Sequence, residues 1–121
     1  MQNSFVPGVL AQDELPVPEG ECIIPNVVDA IRKARERGMA IIVTQDWHPD
    51  DHVSFSSRYD VPPFTVVDRD DGRNEITWPN HCVAGTPGVE IVAPVQAELD
   101  NGEYYVFRKG FPVGEDAYSG F

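Results

Sequence analysis

Residues 25–48 read PNVVDAIRKARERGMAIIVTQDWH, and this stretch decides the class of fold. Its first half, residues 25–37, repeats apolar side chains at helical spacing, and Gly38 follows the basic last turn as a C-cap. Its second half, residues 39–44, is a short apolar run rich in β-branched side chains, which is typical of a strand buried on both faces of a parallel sheet. A helix followed by a buried strand is half of a βαβ unit, so the stretch predicts an α/β fold.

Downstream of this stretch the elements are sparser. Residues 45–88 contain many prolines and predict mostly loop, in which the charged run 68–75 is expected to form a solvated hairpin or loop. Residues 90–99 predict a second helix whose turns are interrupted near Pro94, and residues 104–107 predict a second strand.

This inventory is too small for a finished sheet, because buried parallel strands need neighbours on both sides and helices on both faces. The predicted fold is therefore an α/β domain with a three-layer arrangement, a parallel sheet with flanking helices, which is incomplete here. Residues 1–121 are expected to form a single partial domain, because no strand precedes the first predicted helix and no element follows the second predicted strand.

The charge balance restricts the partners. The chain has 20 Asp and Glu against 9 Lys and Arg, a formal net charge of -11, so its surface should repel nucleic acid and anionic membranes. No apolar run reaches the roughly 20 residues of a membrane span, and no signal peptide is recognised, so the expected location is cytoplasmic. In that compartment Cys22 and Cys82 are expected to be reduced thiols without a catalytic role.

The candidate metal ligands begin directly after the first predicted strand, where α/β folds place their ligands. Asp46 and His48 are two positions apart, so in extended chain their side chains point the same way. A helical turn opening at Pro49 would bring His52 to the side of His48. His81 is the remaining histidine. One carboxylate with two or three imidazoles suits Zn(II), Fe(II) or Mn(II).

Each of these assignments has a simpler alternative. Asp46 and His48 could be a chance pair, in which the aspartate caps the turn after the strand and the histidines are solvated. Lys109 lies at the carboxyl end of the second predicted strand, at the same edge as Asp46, but it could equally be a surface lysine. Cys82 follows His81 directly, so its sulfur is expected to point away and to be a poor co-ligand.

Six segments of the chain form a pattern in a fixed order: QNSF at 2–5, TQDWHP at 44–49, HVSF at 52–55, WPNHCVAGTPG at 78–88, KG at 109–110 and YSGF at 118–121. Taken together, these segments resemble the nicotinamidases, metal-dependent cysteine amidases of the isochorismatase-like hydrolase superfamily. The tryptophan-proline-x-histidine-cysteine segment and the metal pair distinguish that family from metal-free relatives that hydrolyse isochorismate. The resemblance implies that the single domain of residues 1–121 lacks its first strand and its C-terminal half.

The resemblance implies a metal site of defined composition. Asp46, His48 and His81 would be the ligands, and His52 would be a further ligand, direct or water-mediated, in some members. Zinc is the first choice of ion, with Fe(II) or Mn(II) as alternatives.

The resemblance also implies a small-molecule substrate, nicotinamide, with which the family's metal interacts through the pyridine nitrogen. Phe5 and Trp78 would wall the pocket around the ring, and Tyr118 would lie near it. Lys109 would be the lysine of a cysteine-aspartate-lysine triad, where its charge favours the thiolate. The reaction would be acyl transfer through a cysteine thioester that water hydrolyses to nicotinic acid in NAD salvage.

Two parts of the family pattern have no match in these residues. The catalytic aspartate would precede Met1 and the nucleophilic cysteine would follow Phe121, while neither Cys22 nor Cys82 matches it. We therefore expect the front half of an amidase, inactive by itself, whose complete form could be a homo-oligomer. One alternative is a short non-catalytic protein, or inactive metal-binding fragment, of the same fold that retains metal or pyridine-ligand binding. Another is an unstable fragment with no function.

Overall fold

Helix α1 spans Ile24–Glu36 in the computed structural model, which describes residues 1–120. Pro25 lies in its first turn, where the fixed φ of proline suits a helix and its missing N–H costs nothing. Gly38 follows the helix at φ +66°, a left-handed conformation that glycine adopts without strain. The helix predicted over residues 25–37 is therefore confirmed.

Strands β1, Ile42–Asp46, and β4, Tyr105–Lys109, pair in parallel with Ile42 opposite Tyr105 and Asp46 opposite Lys109. The prediction of a first strand at residues 39–44 was about three residues too early. Met39 N donates to Ala34 O at 2.9 Å, so the chain first closes the end of α1 and then turns into the strand.

The prediction that these strands are buried on both faces is wrong for the described part of the chain. Ile42 and Phe107 are 58% and 59% exposed, because β1 and β4 form a sheet of two strands within residues 1–120. Strand burial depends on neighbouring elements, and here one face of the pair is open to solvent.

Helix α2, Ala93–Leu99, packs against α1 and completes the core. Pro94 lies in the first turn of α2, so it begins the helix rather than interrupting it, and residues 90–92 precede the helix. Buried Glu98 receives hydrogen bonds from Arg32 at 2.8 Å and Arg35 at 3.1 Å, which compensates its charge. The buried apolar cluster consists of Val6, Val92, Val95 and Leu99.

Between β1 and α2 the chain forms a short antiparallel hairpin of β2, Val66–Asp68, and β3, Asn74–Ile76. Arg69 bonds to Glu75 at 3.1 Å next to the turn. Of the hairpin or loop expected at residues 68–75, the structure thus has the hairpin. Four short 3₁₀ helices complete the secondary structure of the described residues: Asn3–Phe5, Gly20–Ile23, Ser56–Tyr59 and Pro87–Val89. Across residues 1–120, every helix is too short or too polar to cross a membrane.

Candidate functional site

The carboxyl end of β1 brings distant parts of the chain together. Asp46 is the last residue of the strand, and the extended chain continues so that His48 N donates to Cys82 O at 3.0 Å. Ala84 N in turn donates to His48 O at 2.8 Å, which makes a short parallel bridge between the two segments. This bridge places His81 beside His48, although the two lie far apart in the sequence.

Asp46, His48 and His81 form a cluster that could hold a metal ion. One ligand atom from each residue lies within 4.8 Å of the other two. His48 is 2% exposed and His81 is 7% exposed, so both rings are shielded from solvent. The donor set of one carboxylate oxygen and two imidazole nitrogens fits a divalent ion.

Hydrogen bonds to backbone carbonyl oxygens orient both imidazoles. Nδ1 of His48 lies 2.8 Å from the carbonyl oxygen of Gly110, and Nδ1 of His81 lies 2.7 Å from that of Pro79. A carbonyl oxygen only accepts, so each Nδ1 carries the proton and each Nε2 keeps a free lone pair. This is the arrangement in which a second hydrogen bond fixes the tautomer of a metal-binding histidine.

Burial keeps these imidazoles neutral. It lowers the pKa of His48 from 6.5 to about 4, with smaller contributions from the neighbouring rings of His52 and His81. Burial also lowers the pKa of His81, partly opposed by its hydrogen bond to Pro79. Both imidazoles are therefore neutral at neutral pH, the state that a metal ligand requires.

His52 lies against His48 but outside the cluster of three. Their ring centroids are 4.4 Å apart, and His52 is fully buried. Its Nδ1 is 2.8 Å from Ser54 Oγ and its Nε2 is 2.9 Å from the carbonyl oxygen of Glu115. Both ring nitrogens are thus engaged by protein, and a role of His52 as a further ligand stays a prediction.

Lys109 faces Asp46 across the β1–β4 pair. Its Nζ lies 2.7 Å from Asp46 Oδ1 and donates to Ala117 O at 2.8 Å. The other carboxylate oxygen of Asp46 is 3.9 Å from His48 Nε2. The carboxylate therefore lies between an ammonium group on one side and the imidazole cluster on the other.

A cavity of about 180 Å³ opens beside this cluster. An apolar cavity of roughly 150 Å³ is large enough for benzene, so this one suits a substituted six-membered ring. Phe5, Trp78 and Tyr118, the three predicted pocket residues, all line it, while Phe121 lies outside the described residues. The other lining residues are Leu15, Asp46, His48, Ser54, His81, Lys109, Asp116 and Ala117.

Four of these lining residues, Leu15, Ser54, Asp116 and Ala117, were not foreseen from the sequence. Leu15 comes from a loop without periodicity, which is tied down because its N–H donates to Ser4 O at 3.1 Å. That long-range bond has no local sequence signal, so the pattern of residues could not have revealed it.

Both cysteines have free thiols, as expected. Cys22 is exposed, whereas Cys82 is fully buried and does not line the cavity. Burial raises the pKa of Cys82 from 9.0 to about 12. Cys82 is therefore a neutral thiol under physiological conditions and unsuited to nucleophilic attack.

Comparison with known proteins gives one coherent result. The family model described as Isochorismatase domain matches residues 1–113. The nicotinamidase of Escherichia coli is 35% identical over all 121 residues, which correspond to 53% of its own length. The chain thus spans about half the length of the curated relatives it matches.

The chain also resembles solved structures over its whole length. The yeast nicotinamidase Pnc1p bound to the inhibitor nicotinaldehyde gives a TM-score of 0.84 at 32% identity, with 58% of that protein covered. The pyrazinamidase of Pyrococcus horikoshii in complex with zinc gives a TM-score of 0.73 at 39% identity, with 54% covered.

Proposed function

The chain belongs to the isochorismatase family, and from this premise we propose that the protein carrying it is a metal-dependent amidase that converts nicotinamide to nicotinic acid and ammonia. Residues 1–121 would be part of one domain, contributing the metal site, most of the aromatic pocket and one charged residue of the catalytic triad. With nicotinic acid as its product, the proposed reaction would belong to NAD salvage. The fold of the chain, an α/β arrangement with a parallel sheet and helices, is that of the family.

The observation that carries this proposal is the cluster of Asp46, His48 and His81 at the edge of a ring-sized cavity. Two neutral imidazoles with free Nε2 lone pairs and one carboxylate form a site for Zn(II), which the zinc complex of a similar pyrazinamidase also supports. A divalent ion held there would supply Lewis acidity beside the substrate.

The chain's own residues would bind and orient the substrate. Phe5 and Trp78 both line the cavity, and the ring centroid of Phe5 lies 5.7 Å from that of His81, so an aromatic ring bound there would have aromatic neighbours. Leu15 adds an apolar contact from the N-terminal loop. Enclosing the ring in this way would exclude water from the carboxamide.

Lys109 would supply a fixed positive charge at the cavity. Its ammonium group, half-buried beside Asp46, favours an anionic nucleophile and stabilises negative charge that develops on the carboxamide oxygen. The nucleophile itself is assigned to a cysteine outside these residues, because Cys82 has a pKa of about 12 and Cys22 does not line the cavity.

In the proposed reaction, that thiolate attacks the carboxamide carbon, and the carbon–nitrogen bond breaks as the aspartate of the triad, which is also assigned outside these residues, donates the proton with which the leaving nitrogen becomes ammonia. Water then cleaves the thioester, which releases nicotinic acid and restores the thiol.

The test is coupled ammonia detection on the full-length protein that contains these residues, with zinc supplied and nicotinamide as substrate. We expect turnover in the wild type, a loss of several orders of magnitude in Asp46→Ala, and near wild-type turnover in the exposed-residue control Lys33→Ala. A metal-loaded wild type that released no ammonia from nicotinamide or pyrazinamide would contradict the proposal, and would favour a non-catalytic metal-binding protein.

A further inference from the structure

Gln2 is a buried glutamine whose side chain contacts the backbone of Asp46. It is 4% exposed. Its Nε2 donates to Asp46 O at 2.8 Å and to Val89 O at 3.0 Å, while its Oε1 accepts from Asp46 N at 2.8 Å. The carboxamide thus uses both donors and bonds the N–H and the C=O of one residue.

These bonds occupy the place of a neighbouring strand. Tyr105 N donates to Ile41 O at 3.0 Å and Trp47 N donates to Lys109 O at 2.9 Å. With the parallel register of β1 and β4, every second residue from Ile41 to Trp47 therefore bonds to β4. Since backbone groups alternate in direction along a strand, the N–H and C=O of Asp46 point to the opposite edge. At that edge the carboxamide of Gln2 makes the two hydrogen bonds to Asp46 that a peptide group of a neighbouring strand would make.

Gln2 is itself held in place by its backbone. It forms an antiparallel bridge with Ile91, and the next residue, Asn3, donates its N–H to Glu90 O at 2.8 Å. A rigidly held carboxamide fixes the backbone of the residue it binds. The direction in which Asp46 projects its carboxylate therefore depends on Gln2.

We propose that Gln2 is a positioning residue. It holds the Asp46 carboxylate where it can bind a divalent ion together with His48 and His81. This inference rests on the metal site of the proposed function, but it concerns ion affinity and not amide hydrolysis. Groups that orient metal ligands typically change affinity 10–100-fold when they are removed.

The chain offers a matched control in Gln45. It is also a buried glutamine, 8% exposed, and its Nε2 donates to the same Val89 carbonyl at 2.9 Å. Its side chain makes no hydrogen bond to Asp46 among those of the described residues. Gln45→Ala therefore removes an equivalent buried amide while leaving the two bonds from Gln2 to Asp46 in place.

The experiment is titration of the full chain with Co(II) alone, followed by the visible absorption of the bound ion. We expect Gln2→Ala and Gln2→Met to bind Co(II) about 10–100-fold more weakly than wild type, and to shift its absorption band, since the ligand geometry is altered. Gln2→Met keeps the side-chain volume, so it provides the same test if Gln2→Ala does not fold. The Co(II) affinity of Gln45→Ala should stay within about threefold of that of the wild type.

Unfolding of the metal-free variants separates positioning from a purely structural role. A structural role alone would lower the stability of Gln2→Met and Gln45→Ala alike without changing Co(II) affinity or spectrum. Wild-type affinity and spectrum in folded Gln2→Met would overturn the inference while leaving the proposed function intact. Failure of the wild type to bind Co(II) would instead overturn the metal site and this inference with it.

Discussion

Acidification of the metal-free chain should destabilise it through His48. In the folded chain burial holds the pKa of His48 near 4, against 6.5 for an ordinary histidine. Below pH 6.5 the unfolded chain therefore binds a proton that the folded chain excludes. Stability from the neutral ring is complete above pH 6.5, falls as the pH drops towards 4, and is lost below that value.

The size of the effect follows from the same two values. Each pH unit in this window costs about 1.4 kcal/mol, so the full loss from His48 is roughly 3 kcal/mol and the loss at pH 5 is roughly 2 kcal/mol. Because the side chain of His48 is only 3% exposed, solvent screening reduces this figure little.

The assay is urea unfolding with EDTA present at pH 7.5 and pH 5.0, on the wild type and on His48→Gln. Glutamine does not titrate, and its amide can still donate to Gly110 O. The free energy of unfolding should fall about 2 kcal/mol more in the wild type than in the variant. Equal losses in the two proteins would refute the conclusion that His48 is buried in its neutral form.

Four further outcomes are expected. Zinc content near one ion per chain should fall sharply in Asp46→Ala and His81→Ala, and unchanged elemental analysis would contradict the ligand assignment. Gly110→Ala should weaken zinc binding by displacing the His48 ring, because an added Cβ would overlap it at φ +70°, whereas Gly114→Ala meets open space and should bind zinc as the wild type does. In the full-length protein Trp78→Ala should weaken nicotinamide binding about tenfold or more and keep its zinc, as measured by calorimetric titration and elemental analysis. Iodoacetamide at pH 8 should label exposed Cys22 and spare Cys82, whose pKa is about 12, and mass spectrometry showing equal labelling would disprove the burial of Cys82.

Local spacing accounts for the features that the sequence predicted well. Helix α1 follows from apolar periodicity and a glycine cap, and the common orientation of Asp46 and His48 follows from alternation in extended chain. Both features depend on residues that are close together in the sequence. The resemblance then added Phe5 and Trp78, which the cavity brings together.

Contacts that depend on long-range pairing had no local signal in the sequence. His81 was expected at the metal site as the remaining histidine and from the resemblance, but the bridge that brings it beside His48 joins segments that share no periodicity. The hydrogen bonds from Gln2 to Asp46, 44 residues along the chain, were not predicted. The burial of β1 was overestimated for the same reason. An apolar run reports how a strand can pack, whereas its exposure depends on which elements cover it.

The parallel pairing of β1 with β4 has a kinetic consequence. Paired residues such as Gln45 and Arg108 are 63 positions apart. Closing so long a loop lowers the entropy of the chain before the stabilising contacts have formed, so this pairing should form slowly and late in folding. Asp46 and Lys109 meet only when the loop has closed. An ion held at the site would therefore slow unfolding and leave the rate of folding nearly unchanged.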